Sequence, residues 1–217
     1  MIDYWRQLDV LPPNELRKIK LTVVGAGGIG SPTVISLAKM GFPEIKVYDD
    51  DVVDNHNLPN QLYRKKDVGK PKVVALAEIA SDFSDCLVLP EQRLFDKTIR
   101  PSGIMVSAVH TMAARKEIWG TAKYNIQVPF YVEARMGIEV LRVYSFKPTD
   151  PNAVRWYETK LYDDDHALQA PCTSRAIAYT VFMAASLISS QIKKFVMGEE
   201  IKKEIIFDLK NLILVLQ

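Results

Sequence analysis

The stretch that decides the fold, LTVVGAGGIGSPTVISLAKMGFPEIKVYDDD, runs from Leu21 to Asp51. It opens with an apolar run at residues 21–24, which predicts a β-strand, and continues as a glycine-rich turn from Gly25 to Ser31. A helix is predicted from about Pro32 to Met40, and a second strand at residues 45–48 leads into three aspartates. Strand, glycine turn, helix, strand and acidic end follow in the order of a nucleotide-binding βαβ unit.

The glycines of this turn predict a cradle for phosphates. Gly25 and Gly27 lack a Cβ, so the backbone can bend tightly there and approach a nucleotide, and Gly28 belongs to the same cradle. Gly30 lets the helix pack closely on its strand, and the open amides of the helix then face the phosphates. Asp49 stands about twenty residues further on, the spacing of an acceptor for a ribose hydroxyl. The unit favours nucleotide binding over a purely structural turn, but it suits NAD and ATP equally.

The composition is that of an ordinary globular protein. The 217 residues suit one domain, with 48% hydrophobic and 25% charged residues. The formal net charge of +2 gives no global field that would recruit nucleic acid or a membrane. Two cysteines, Cys86 and Cys172, argue against a disulfide framework and for a reducing, cytoplasmic compartment, and the first residues do not read as a signal peptide. The apolar segment Ser174 to Met197 carries several charged and polar residues, which favours a long buried helix over a membrane span.

A loop rich in amide side chains follows the second predicted strand. Asn57, Asn60 and Gln61 lie beyond the carboxyl end of that strand, where open α/β sheets bind ligands, and Asp51 stands at the same end. These amides can bind phosphates or a base without adding charge; the alternative is an ordinary capping loop. Lys72 falls in the first turn of the next predicted helix, where the helix dipole disfavours an ammonium unless an anion lies between them. Lys72 is therefore a candidate phosphate contact.

The second half of the chain predicts further strands and then a change of pattern. Residues 86–89, 103–109 and 128–134 read as strands, and His110 follows the central one, as a functional contact or an incidental loop residue. From Met136 the pattern alternates, which predicts antiparallel strands, with a terminal hairpin at residues 203–207 and 212–216. We expect an α/β, Rossmann-like, doubly wound domain with a mostly parallel sheet and antiparallel strands added in the C-terminal part. Its parts are an arm at residues 1–20, a nucleotide-binding half at 21–135 and an antiparallel extension with the long helix at 136–217.

Two further side chains have a functional and a structural interpretation. Cys172 lies just before the long helix, whose N-terminus would stabilise a thiolate, so it is either a reactive thiol or a packing residue. Arg6 is either a solvated surface charge or a guanidinium brought to a polyphosphate in the active site of a partner subunit. The acidic run at residues 163–165 favours a solvated loop over a metal site.

Taken together, these motifs resemble the ThiF/MoeB/HesA family, the ubiquitin-activating-type adenylyltransferases. The resemblance runs from Tyr4 to about Gly198, and the chain looks most like the short, stand-alone members found in bacteria and their phages. The motifs stand in family order: Arg6-Gln7, Gly25 to Ser31, Asp49 to Asp51, Asn57-Leu58 with Gln61, Gly69 to Lys72, Arg115 and Cys172.

The resemblance implies a reaction that uses ATP and Mg2+. Family members attack the α-phosphate of ATP with the C-terminal carboxylate of a small ubiquitin-like or sulfur-carrier protein and release pyrophosphate. It implies Asp49 as ribose acceptor, Asn57 and Lys72 as phosphate contacts, and Arg6 as a finger that reaches across a homodimer. Cys172 becomes the candidate thiol that accepts the activated acyl group.

The chain departs from the family pattern at three points. Asn60 stands where members usually carry an arginine, and His110 where they usually carry an aspartate that binds Mg2+. A hard cation prefers carboxylate oxygen, so His110 predicts impaired turnover or an altered metal arrangement. The paired Cys-x-x-Cys ligands of many relatives are absent from the sequence, so no structural zinc of that kind is expected. Two alternatives therefore stay open: a non-catalytic nucleotide-binding or scaffold relative, and an NAD-dependent oxidoreductase.

Overall fold

The fold is one eight-stranded sheet with helices on both faces. The computed structural model describes residues 2–163 and 177–217. The strands are β1 (Lys20–Val24), β2 (Glu44–Tyr48), β3 (Leu87–Glu91), β4 (Ile104–Ser107), β5 (Tyr131–Gly137), β6 (Val140–Phe146), β7 (Glu204–Asp208) and β8 (Ile213–Leu216). The helices are α1 (Pro13–Leu16), α2 (Gly30–Lys39), α3 (Lys72–Phe83), α4 (Met112–Ala122), α5 (Pro151–Glu158) and α6 (Ala178–Val196).

The sheet has the strand order β3-β2-β1-β4-β5-β6-β7-β8. The first five strands in this order run parallel, and β6, β7 and β8 join as antiparallel neighbours. This arrangement confirms the predicted α/β class, the mostly parallel sheet and the terminal hairpin. No helix in the described part of the chain is long and apolar enough to cross a bilayer.

Each face of the sheet packs against its own helices. On one face, α2, α3 and α6 contribute residues such as Val34, Leu76 and Ile188 to a core that also contains Val106 of β4. On the other face, α4 and α5 pack against Met105 of the same strand. Because side chains of one strand alternate between faces, a strand covered on both faces must be apolar throughout. The apolar run that contains β4 is unbroken because helices cover both faces of this strand.

Several boundaries differ from the predictions because pairing partners, and not hydrophobicity, end a strand. The apolar run at 103–109 pairs only from Ile104 to Ser107. The alternating segment that begins at Met136 is divided between β5 and β6, because the chain turns at Ile138, which has a φ of 57°. The long helix was predicted to begin near Ser174, which lies outside the described residues; its described part starts at Ala178.

The N-terminal arm packs at the amino-terminal edge of the sheet. Gln7 Nε2 donates to the carbonyl of Met40, just past the end of α2, at 2.7 Å. The backbone N–H of Ile2 donates to Asp85, which precedes β3, at 3.0 Å. Arg6 is therefore at the edge where β2 and β3 begin, opposite to the edge where the parallel strands end.

Candidate functional site

The glycine turn lies where β1 and β4 end side by side. The helix after β1 leads to β2 on one side, and the helix after β4 leads to β5 on the other, so the two connections diverge here. Such a switch point leaves a crevice outside the carboxyl ends of the strands, which is where open α/β sheets bind ligands. The predicted cradle is thus located at the ligand-binding edge of the sheet.

Two glycines of the turn are required by close backbone packing. Gly25 has a φ of +95°, and a Cβ there would lie 2.7 Å from the carbonyl oxygen of Ala108. A Cβ at Gly30 would lie 1.8 Å from the carbonyl oxygen of Gly25. These contacts confirm the tight turn and the close helix packing expected from the sequence, and they bring the start of α2 directly under the crevice.

The other two glycines border the crevice. A Cβ on Gly27 would meet no heavy atom of the described residues within 4 Å, and its N–H donates to none of them. A Cβ on Gly28 would lie 3.2 Å from Val181 of α6 and 3.4 Å from the carbonyl oxygen of Asn60. Gly27 therefore leaves room and an unused donor beside the N-terminus of α2, as a phosphate site requires.

Asp49 holds the glycine turn through its carboxylate. One oxygen accepts from the N–H of Ala26 at 2.7 Å, and the other accepts from the N–H of Asp51 at 2.9 Å. Burial raises the pKa of the Asp49 carboxyl, while the two amides and the charge of Lys72 partly offset that rise. The structure thus assigns Asp49 a structural contact; its predicted bond to a ribose hydroxyl stays a prediction.

Lys72 begins α3, as predicted, and its ammonium is buried. The Lys72 side chain is only 6% exposed and its Nζ lies 2.7 Å from the carboxylate of Asp51, which is 63% exposed. The backbone N–H of Lys72 also donates to the carbonyl of Asp51 at 2.9 Å. The anion that the helix dipole demands is supplied by Asp51, so a phosphate would have to share or replace this carboxylate.

The three consecutive aspartates bring their oxygens close together. Ligand atoms of Asp49, Asp50 and Asp51 all lie within 4.8 Å of one another. Oxygen ligands of this kind suit Mg2+. They are the candidate metal ligands at this edge of the described structure, although Asp51 is already paired with Lys72.

The amide loop packs against the glycine turn. Asn57 is buried, and its side-chain oxygen accepts from the N–H of Asp54 at 2.8 Å, which closes a short 3-10 turn. Gln61 Oε1 is buried and has no hydrogen-bond partner within the described residues. A buried acceptor without a partner is unfavourable and indicates a ligand or water beside it. Asn57 therefore has a structural role, and Gln61 retains an open acceptor.

Tyr63 belongs to this site although the sequence analysis did not single it out. Its hydroxyl donates to the carbonyl of Ala26 at 2.6 Å, and the neighbouring Leu62 N–H donates to the hydroxyl of Ser31 at 3.0 Å. Burial, followed by the charges of nearby aspartates, raises the pKa of Tyr63 far above its usual value. Tyr63 carries no motif signal, and only its position just after the amide loop could have drawn attention to it.

His110 lies on the segment between β4 and α4. Its side chain is exposed, and its carbonyl accepts from Arg115 Nη1 at 3.2 Å. The side chain of Thr111 accepts from the N–H of Ala114 and caps α4. His110 is therefore at the carboxyl edge of the sheet, as predicted, while its contact with a nucleotide or metal is untested.

A buried carboxylate supports the His110 segment from behind. Glu133 of β5 is fully buried and lies 2.7 Å from Arg115 Nε and 2.6 Å from Arg135 Nε. Tyr157 donates to the same carboxylate. Burial alone would lower the pKa of Arg135, but its bonds to Glu133 outweigh burial and raise it. The sequence analysis treated Glu133 as part of an apolar strand and missed this cluster.

The remaining candidates lie apart from this crevice or outside the described residues. Arg6 is exposed at the opposite edge of the sheet, so the crevice of its own chain does not receive it. Cys172 lies outside the described residues. Cys86 is buried in the hydrophobic core, and burial raises the pKa of its thiol to about 12.

Comparison with known proteins matches most of the chain to one protein family. A family model described as the ThiF family matches residues 4–212. The NEDD8-activating enzyme E1 catalytic subunit of Dictyostelium discoideum is 41% identical over 107 residues, which are 46% of this chain and 24% of that protein. The SAMP-activating enzyme E1 of Haloferax volcanii is 40% identical over 108 residues, which are 49% of this chain and 37% of that protein.

A solved structure of E. coli MccB with ATP superimposes with a TM-score of 0.76 at 20% identity, over 96% of this chain and 66% of that one. At this identity the likeness supports the fold alone. The chain spans only 24% and 37% of the lengths of the two curated relatives.

Proposed function

Because the chain belongs to the ThiF family, we propose that it is an ATP-dependent adenylyltransferase. Its substrate would be the C-terminal carboxylate of a small ubiquitin-like or sulfur-carrier protein. A carboxylate oxygen attacks the α-phosphorus of ATP, the bond from that phosphorus to the bridging oxygen breaks, and pyrophosphate leaves. Relatives whose names refer to activation of NEDD8 and of SAMP support this class of substrate.

The observation that carries the proposal is the cradle at the β1/β4 switch point. It combines the open N-terminus of α2, the free space beside Gly27 and the buried ammonium of Lys72. In-line displacement at phosphorus needs positioning and charge neutralisation more than covalent chemistry from the protein. These three features supply both.

The side chains around the cradle would share the work of binding ATP. Asp49 would accept from a ribose hydroxyl, and Lys72 would exchange part of its contact with Asp51 for a phosphate oxygen. The acceptor of Gln61 and the amides of Asn57 and Asn60 would line the same edge. Asp50 and Asp51 would hold Mg2+, which neutralises charge on the triphosphate.

Two further residues would complete the site. Arg6 would come from the partner in a homodimer and stabilise charge on the triphosphate. Cys172 would accept the acyl group from the adenylate through its thiolate, with AMP as the leaving group.

A second candidate function is a nucleotide-binding scaffold without turnover. His110 favours it, because imidazole is a poor substitute for the carboxylate that family members usually present to Mg2+. An NAD-dependent oxidoreductase explains Asp49 but assigns no task to Lys72.

Pyrophosphate exchange into ATP, measured with small ubiquitin-fold proteins as carriers, distinguishes the adenylyltransferase from the other two functions. We expect Lys72→Met to lower the exchange rate by about 100-fold or more, because a lost charge-stabilising donor usually has an effect of this size. Lys70→Met is the matched control, since Lys70 pairs with Glu78 on the surface and lies two residues away.

His110→Asp should raise the exchange rate. If wild type and this variant are equally inert with every carrier while ATP with magnesium still raises the Tm, the scaffold function holds. A rise in Tm with NAD but not with ATP would contradict the proposal.

A further inference from the structure

The peptide groups on either side of Ala26 are held by two side chains from different parts of the fold. The N–H of Ala26 donates to Asp49 at 2.7 Å, and its carbonyl accepts from the hydroxyl of Tyr63 at 2.6 Å. Asp49 follows β2, whereas Tyr63 ends the amide loop. We infer that Tyr63 is a positioning residue for the phosphates of ATP, acting through the glycine turn. The inference rests on the proposed function of this crevice.

One peptide group connects the hydroxyl of Tyr63 with the unused N–H of Gly27. The carbonyl of Ala26 and the N–H of Gly27 belong to the same planar trans peptide, so they point in opposite directions. Tyr63 fixes the carbonyl toward the amide loop. The N–H of Gly27 must then point away from the loop, and it donates to none of the described residues. Tyr63 thereby fixes the direction of an unused donor at Gly27, a position with open space around it.

The hydroxyl of Ser31 provides a second connection between the glycine turn and the amide loop. Ser31 donates through its hydroxyl to the carbonyl of Gly27 at 2.8 Å and accepts from the N–H of Leu62 at 3.0 Å. The amide loop and the glycine turn are thus joined through two successive loop residues, 62 and 63. These bonds hold Gln61, the residue just before them, close to the turn.

The hydroxyl of Tyr63 stays a donor at every pH at which the protein is used. Its side chain is 8% exposed, and burial together with nearby aspartates raises the pKa of the phenol far above neutrality. A phenylalanine at this position would fill the same volume and remove only the donor. The peptide between Ala26 and Gly27 would then lose the side-chain bond that fixes its orientation.

Two measurements on Tyr63→Phe test this role. The first is the Kd for ATP with magnesium, which should rise by about tenfold, the effect of one hydrogen bond of ordinary strength. The second is hydrogen exchange of a peptide covering residues 25–31 in the protein without nucleotide. The amides of Ala26 and Ser31 are hydrogen-bonded in the structure, and their exchange should accelerate.

Thr22→Val is the matched control. Thr22 is buried in β1, and its hydroxyl donates to the carbonyl of Ser102 at 3.2 Å, so the variant also loses one buried side-chain-to-backbone bond. It should lower the Tm about as much as Tyr63→Phe while leaving the Kd for ATP and the exchange of residues 25–31 unchanged. A purely structural role of Tyr63 would make the two variants alike.

The outcomes separate the inference from the proposed function. If wild type binds ATP and Tyr63→Phe binds it equally well, the inference is wrong and the proposed function stands. If wild type does not bind ATP, the proposed function fails, and the inference fails with it. Should Tyr63→Phe not fold, Ser31→Ala cuts the second tie between the segments. Unchanged ATP binding and exchange in that variant would overturn the inference.

Discussion

Asp49 has to remain ionised in surroundings that disfavour its charge. Both of its oxygens accept from backbone amides, which only the carboxylate form does fully. Burial nevertheless raises the pKa of this carboxyl above its usual 3.8. An acid with a raised pKa in the folded state stabilises the fold fully only below its unfolded pKa, and that contribution is lost as the pH rises through the folded value.

Asp49→Asn should reveal this loss through its pH dependence. The difference in Tm between the variant and wild type should become more favourable to the variant as the pH rises from about 4 to 7, because only wild type has to ionise the buried carboxyl. Thermal unfolding of both proteins across this range checks it. A difference that is constant with pH would contradict the raised pKa. Asp54→Asn, at an exposed carboxyl with a lowered pKa, should show almost no slope in this range, because its stabilisation is lost only as the pH falls below about 4.

Glu133 is the second residue at which stability depends on a buried charge. Glu133→Gln leaves the guanidinium groups of Arg115 and Arg135 buried without their carboxylate, which should lower the free energy of unfolding by about 3–5 kcal/mol. Glu158→Gln, at the surface pair with Lys123, should lower it by less than about 1 kcal/mol. Denaturant unfolding of both variants provides the comparison, and equal losses would refute the special role of Glu133.

Two glycines of the same turn have different roles: Gly30 allows close packing of α2, whereas Gly27 borders the proposed phosphate site. Gly30→Ala places a methyl group against the carbonyl of Gly25, and such overpacking should lower the Tm by about 4 °C or more. Gly27→Ala meets no neighbour and should leave the Tm nearly unchanged. Its methyl group would nevertheless occupy the space proposed for a phosphate, so the Kd for ATP should rise. Equal ATP affinity in wild type and Gly27→Ala would place the phosphate elsewhere.

The same elements show what the sequence could and could not predict. The first strand, the turn and α2 were predictable because their signals are local: an apolar run, glycines and a helical period. The bounds of β4 and β5 could not be predicted from the sequence. Ile104 and Tyr131 begin these strands because a neighbouring strand offers a pairing partner there. Tyr63 and Glu133 were missed for a similar reason, since each acts on a residue distant in the chain.

For the candidate site, the positions of residues could be predicted from the sequence, but their side-chain contacts could not. Lys72 and His110 lie at the expected edge because helix starts and strand ends can be read from sequence. That Asp51 pairs with Lys72, and that Asn57 closes its own turn, depends on side-chain directions that no spacing encodes. Arg6 lies at the opposite edge of the sheet, and its task in the active site of a partner subunit stays a prediction.

Because Arg6 lies far from the crevice of its own chain, mixed dimers can test whether it acts in the crevice of a partner. Arg6→Ala and Lys72→Met should each be inactive alone. A mixed dimer has one crevice with an intact Lys72 that faces an intact Arg6 from its partner. An equimolar mixture should therefore recover about one quarter of wild-type exchange activity, because half of randomly formed dimers are mixed and each has one working site. No recovery would show that Arg6 acts within its own chain or not at all.

The attachment of the arm beyond the end of α2 has a kinetic consequence. A helix of ten residues is about 15 Å long, so roughly that distance separates the arm's anchor at Met40 from the turn at the other end of α2. If Arg6 serves the crevice of a partner chain, as proposed, the two groups that one reaction needs lie at opposite ends of each polypeptide. Turnover per mole of protein should then fall on dilution, and the concentration at which it halves should report how tightly the chains associate.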